Sequence, residues 1–233
     1  MLYEISADDI GAEIVESIKE RERELIGARS VSTEPGKAAG AQAEGLRVVL
    51  LFDVSRSVAN ESAQSGLPMT KIKEETVRLV DSLESSTRFN VVQFTRNYLP
   101  FEEDMVPADA AHRESFRKWI SEKWNDSGKL SSVYDGATKN PSGIVGVLGF
   151  TEKMKPDVVY IISDGSFEQG GQTEANKVSS SDVRKAFEAL SHGGKKVPVN
   201  FIAFAPDESD AEQMKKIAVS SGGSFRRVTK STP

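Results

Sequence analysis

Residues 50–59 read LLFDVSRSVA, and the way an apolar run ends there decides the fold. Leu50, Leu51 and Phe52 close the segment LRVVLLF, residues 46–52, which is apolar at consecutive positions and not only at alternate ones. A strand of that kind belongs inside a sheet covered on both faces. The run stops at Asp53, with Ser55 and Ser57 at the next alternate positions. A loop that stays extended there turns one carboxylate and two hydroxyls to the same side.

Outward from this segment the pattern repeats. RFNVVQF (88–94), DVVYII (157–162), VPVNFIAF (197–204) and the short SFRRV (224–228) read as further strands. Helical spacing occupies 69–85, 109–124, 143–154, 181–191 and 208–220 between them. Strand and helix in alternation, with no repeat of fixed period, predict a doubly wound, mostly parallel α/β sheet with helices on both faces. NYLPFEED, residues 97–104, follows the second strand too closely for a crossover helix, so a hairpin adding one antiparallel edge strand is expected. The stretch ANESAQSGLP, 59–68, is expected as a loop beside the Asp53 end.

Before this domain, Ile10, Ile14, Ile18, Leu25 and Ile26 form a narrow apolar stripe beside the charged run KERERE, which predicts a helix within residues 1–29. The Gly/Ala/Ser-rich segment 30–45 reads as a flexible linker, so the compact domain is expected over 46–229. The helix has too little apolar surface to fold alone and is expected to pack on the domain or to lead into another segment.

Composition narrows the chemistry. The 233 residues include no Cys and only two His, His112 and His192, so thiolate sites are excluded and imidazole chemistry is poorly supplied. The net charge of −5 lies in residues 1–45, with ten acids against five bases; the remainder is balanced. That balance argues against a broad basic footprint for nucleic acid or anionic lipid. No apolar run reaches the roughly 18 residues of a membrane span. Trp119 and Trp124 suit either an exposed aromatic surface or helix-to-sheet packing, the second being favoured for Trp119.

What remains is rich in oxygen donors. In a doubly wound sheet, ligands sit beyond the carboxyl ends of the strands, where the order of connections reverses. Two buried-looking strands end alike there, LLFD at Asp53 and YIISD at Asp164. Two carboxylates with hydroxyls and no nitrogen or sulfur suit a hard cation, Mg²⁺ first, with Mn²⁺ as a substitute and Ca²⁺ preferring more ligands. Each element alone has a plainer reading: helix capping for Asp53, Ser55 and Ser57, a turn for Asp164-Gly165, an N-cap for Ser142.

Asp-x-Ser-x-Ser after the first strand, SGIVGVL opening a helix at Ser142, and VVYIISDG ending in Asp164-Gly165 together resemble the von Willebrand factor A domain with its metal-ion-dependent adhesion site. The resemblance covers about residues 46–229. It implies a metal set of Asp53, Ser55, Ser57, Ser142 and Asp164, with one coordination position left for water or a partner's carboxylate. Departures are Ser142 in place of the commoner Thr, Arg56 where the family usually has Gly, and Val58 where it often has Met. A cation at Arg56 either repels the metal or helps hold an acidic partner.

The function expected is a non-enzymatic, metal-dependent protein-interaction module acting as a monomeric domain, with a protein partner that presents an acidic side chain. The resemblance also makes the bacterial cell envelope the expected location. The alternative is a magnesium-dependent phosphoryl-transfer or phosphatase-type hydrolase. Such enzymes usually place a second acid two residues after the first, where Ser55 stands here. A serine hydrolase lacks its Gly-x-Ser-x-Gly elbow, and a nucleotide site lacks its glycine-rich loop.

Overall fold

The computed structural model describes residues 3–6, 10–32, 45–64, 68–170 and 175–229. Strand β1 (Tyr3–Ser6) and helix α1 (Ile10–Ser32) precede β2 (Arg47–Asp53), α2 (Arg56–Gln64), α3 (Met69–Ser82) and β3 (Arg88–Phe94). Two short strands, β4 (Tyr98–Pro100) and β5 (Val106–Pro107), lead to α4 (Ala110–Lys123), α5 (Ile144–Lys153) and β6 (Val158–Ser163). The hairpins β7 (Glu168–Gly170) with β8 (Ala175–Lys177) and β9 (Ser191–His192) with β10 (Lys195–Lys196) flank α6 (Ser180–Ala189). The remaining elements are β11 (Val199–Phe204), α7 (Glu208–Ser221) and β12 (Phe225–Thr229).

The sheet runs β1-β12-β11-β6-β2-β3-β4, with β5 also paired to β3. Pairings from β1 through β3 are parallel, while β4 and β5 run antiparallel to β3, β4 forming the expected antiparallel edge. The consecutive apolar residues of β2 divide between the faces. Val48, Leu50 and Phe52 join Val158, Tyr160 and Ile162 of β6 under α1, α3 and α4. Val49 and Leu51 join Val159 and Ile161 under α5, α6 and α7. Dual burial is thus the reason these runs do not alternate.

The structure differs from the sequence reading at three places. Residues 59–68 do not begin as a loop: α2 continues to Gln64, because Val58 and Ser62, one helical turn apart, bury one side of an otherwise polar segment. The Ser55 carbonyl accepts the first helical bond from the Ala59 N–H at 3.0 Å, so the extended loop expected around Ser57 is instead a helix start. At the N-terminus, β1 adds a parallel strand beside β12, and α1 runs on to Ser32. Residues 33–44, most of the expected linker, lie outside the described residues, as do 65–67.

Helix α1 is tied to the sheet. Ile10, Ile14 and Ile18 are buried in the same core as Phe52 and Phe204. Tyr160 in the sheet centre donates its hydroxyl to Ser17 Oγ at 2.8 Å, and Arg226 of β12 pairs with Glu13 at 2.6 Å. Burial pushes the Tyr160 phenol up to about 12. Both tryptophans pack inward, Trp119 against Phe101 and Phe116 with ring centroids 5.6 and 5.9 Å away, and Trp124 edge-on to Phe52 at 5.7 Å. His112 caps locally onto Asp109, and His192 bonds Asp157.

Candidate metal centre

The connection from β2 goes to β3 on one side, and the chain returns to β6 on the other, so the order reverses between β2 and β6. Phe52 is in register with Ile162, which brings Asp53 level with the end of β6 and next to Ser163 and Asp164. The register makes this meeting unavoidable once both strands are interior.

Asp53 is buried and held by two donors. The Ser55 backbone N–H reaches its Oδ1 at 2.9 Å, and the Ser163 hydroxyl reaches its Oδ2 at 2.6 Å. Ser55 Oγ and Ser57 Oγ lie 3.1 Å apart, and the Ser57 hydroxyl is near enough to Asp164 to favour its ionised form. Asp164 accepts further from the Ser166 N–H at 2.9 Å. Burial first, and then the nearby Asp164 charge, push Asp53 from the ordinary 3.8 up to about 7. Asp164 is also raised, mainly by burial, against the opposing pull of Ser57 and Ser166, with Asp210 adding repulsion.

Four of the five expected residues are therefore brought together: Asp53, Ser55, Ser57 and Asp164. Ser142 is placed otherwise. It is exposed, and its hydroxyl has no hydrogen-bond partner among the described residues. Its loop nevertheless abuts the same site. The Asn140 amide donates to the Arg96 and Gly143 carbonyls at 2.8 and 2.7 Å, the Asn140 N–H reaches Asn97 Oδ1 at 3.0 Å, and Pro141 O accepts from Gly170 of β7 at 2.7 Å.

Sequence reasoning missed three contributors. Ser163 is a fully buried hydroxyl at the end of an apolar strand, and that lone polar residue was the available signal. Lys177 on β8 grips the buried Asp210 of α7 through both oxygens, at 2.9 and 2.8 Å. The Asp164-Gly165 turn leans on this helix: Gly165 has φ +85°, and a Cβ there would meet Met214 Cε at 2.7 Å. Only glycine takes that turn without strain.

The donor set fits a hard dication. Two buried carboxylates share one site, with hydroxyls between them, and no cationic side chain hydrogen-bonds either one among the described residues. Like charges so placed raise each other's pKa unless a positive charge joins them. No cluster of three or more His, Asp or Glu side chains suited to a metal occurs among the described residues, so any metal here relies on hydroxyl oxygens. Asp53, Ser55, Arg56 and Ser57 open into a cavity of about 750 Å³, whose other walls include Arg96, Lys129, Tyr134 and Glu168.

Comparison with known proteins agrees with this architecture. No curated protein matches the chain in sequence. A von Willebrand factor type A protein from Catenulispora acidiphila superposes with a TM-score of 0.52 at 18% identity, covering 80% of this chain and 39% of that one. The conserved hypothetical protein BatB from Bacteroides thetaiotaomicron gives 0.51 at 14% identity, covering 80% of this chain and 92% of that one. The PilB minor pilin from Streptococcus sanguinis gives 0.52 at 11% identity, covering 85% and 62%. The chain thus spans under two thirds of the first and third of these structures and most of the second, and at such identities the likeness concerns the fold. The family model for the von Willebrand factor type A domain matches residues 48–232, and the chain belongs to that family.

Proposed function

We propose that the protein is a non-enzymatic, divalent-cation-dependent interaction module, in which Asp53, Ser55, Ser57, Ser142 and Asp164 hold Mg²⁺, with Mn²⁺ or Ca²⁺ as substitutes. Domains of this family are in general adhesion or protein-interaction modules. The observation that carries the metal reading is the pair of buried carboxylates, Asp53 and Asp164, without a cationic hydrogen-bond partner among the described residues. When bound, the cation supplies a positive charge with incomplete protein coordination, suited to a carboxylate from a partner protein. The chain's own part is to bury the two acids side by side so that a cation favours their ionised forms, to fix the Ser55 and Ser57 hydroxyls at the start of α2, and to keep the cavity open toward the partner. Ser142 is included for its exposed hydroxyl, which has no hydrogen-bond partner among the described residues.

Calorimetric titration with MgCl₂ and MnCl₂ tests this. The parent is expected to bind, and Asp53→Ala and Asp164→Ala are expected to lose binding with an unchanged far-UV circular dichroism spectrum. Binding by either variant as tight as the parent's overturns the assignment. Ser142→Ala is expected to weaken the metal without abolishing it. Turnover of p-nitrophenyl phosphate with Mg²⁺ that disappears in Asp53→Asn would favour the hydrolase instead. A bacterial envelope location belongs to the same proposal, supported by the shared fold of the PilB minor pilin; cell fractionation checks it.

A further inference from the structure

We propose that the partner segment carries a second acidic group and an adjacent apolar side chain, which are read by a rim made of Arg56, Lys129 and the Val133–Tyr134 turn. The inference rests on the metal reading above only for the first acid. Arg56 and Lys129 are exposed and line the cavity that opens from Asp53, and among the described residues neither is in an ion pair. Cations left unpaired on the wall of a cavity favour an anion there, and their effect is on selectivity and association rate.

The backbones that carry these cations are held in place. Gly128, at φ +75°, lies so close to Arg56 that a Cβ would meet its Cα at 2.6 Å. The Lys129 carbonyl accepts from Asn125 Nδ2 at 2.7 Å and from Ser127 Oγ at 3.3 Å. The two backbones therefore keep a fixed spacing, which lowers the entropy lost when both charges engage one ligand.

A second observation points to a polypeptide and away from a small acid. Val133 and Tyr134 are 79% and 90% exposed, and the other large exposed apolar side chain among the described residues, Val219, is on α7. Tyr134 borders the cavity. Their turn is built to stay: Ser131 Oγ accepts from the N–H groups of Val133 and Tyr134 at 3.2 and 3.3 Å, and Asp135 accepts the Ser131 N–H at 2.6 Å. A rigid turn that presents two apolar side chains to water beside a charged cavity gains from being covered. A small carboxylate would leave it bare.

The test uses fluorescence anisotropy with a labelled peptide Gly-Phe-Asp-Gly-Glu-Glu-Gly, a second with both Glu replaced by Gln, and a third with Phe replaced by Gly. Each is measured in MnCl₂ and in EDTA, with Mn²⁺ affinity measured separately by calorimetry. The parent should bind the first peptide about tenfold more tightly than either control. Arg56→Gln with Lys129→Gln should erase the preference over the Gln peptide while Mn²⁺ affinity stays equal or tightens. Val133→Ser with Tyr134→Ser should erase the preference over the Phe-less peptide. No preference in the parent up to about 1 mM peptide, or a preference untouched by these variants, overturns the rim. A parent that binds no Mn²⁺ sinks the metal reading instead, and the rim is then judged by the same peptide comparison in EDTA.

Discussion

Asp53 links burial to both stability and metal affinity. The unfolded chain gives up this proton near the ordinary 3.8, while the folded chain keeps it up to about 7. The folded state thus binds more protons between those values, so without metal the Asp53 contribution to stability falls as pH rises through that window, and then levels. Thermal melts in EDTA should therefore show the parent losing stability relative to Asp53→Asn from about pH 5 to pH 7. Metal must displace the same proton, so Mn²⁺ affinity should climb over that range by up to about tenfold per pH unit and flatten above it. A flat titration profile would mean that Asp53 is not a ligand. Asp53, Ser55, Ser57 and Asp164 were legible because each closes a recognisable apolar run or lies two or four residues past one that does. Ser163 was not, because a single serine inside an apolar strand signals a buried polar contact without naming its partner, here a neighbouring strand's carboxylate.

Among elements, strands were read most faithfully, since β2, β3, β6 and β11 are buried on both faces and their apolar runs have no other use. Helix α2 was hidden because its buried side consists of one valine and one serine, too little to register as a period. Strand β1 is four residues long and exists through its pairing with β12, a partner at the far end of the sequence. The turn between β6 and β7 is where element geometry meets the site. Gly165→Ala adds a Cβ at φ +85° against Met214 and should cost about 1–3 kcal/mol in urea denaturation. It should also weaken Mn²⁺ binding, since Asp164 is the preceding residue. Loss of stability with metal affinity intact would mean that the turn does not position the acid.

For the whole molecule, the N-terminal helix is a structural layer of the domain. Its isoleucines, the Tyr160–Ser17 hydrogen bond and the Arg226–Glu13 pair join it to the sheet at separate points. Ile14→Ala should cost about 2–4 kcal/mol of unfolding free energy, and Tyr160→Phe about 1 kcal/mol. If α1 were a detached arm, neither denaturation midpoint would move.

The pairing of β1 with β12 also bears on how the protein is made. Tyr3 sits beside Arg226, so β1 has to wait for a strand made at the other end of the domain. At roughly 5–20 residues per second, a ribosome keeps the early segment without its mate for tens of seconds. Throughout that interval β1 lacks its partner strand and the core around Ile10, Ile14 and Ile18 lacks Phe204 and Val228, the part made last, which makes the nascent chain a natural client for holding chaperones until β12 emerges.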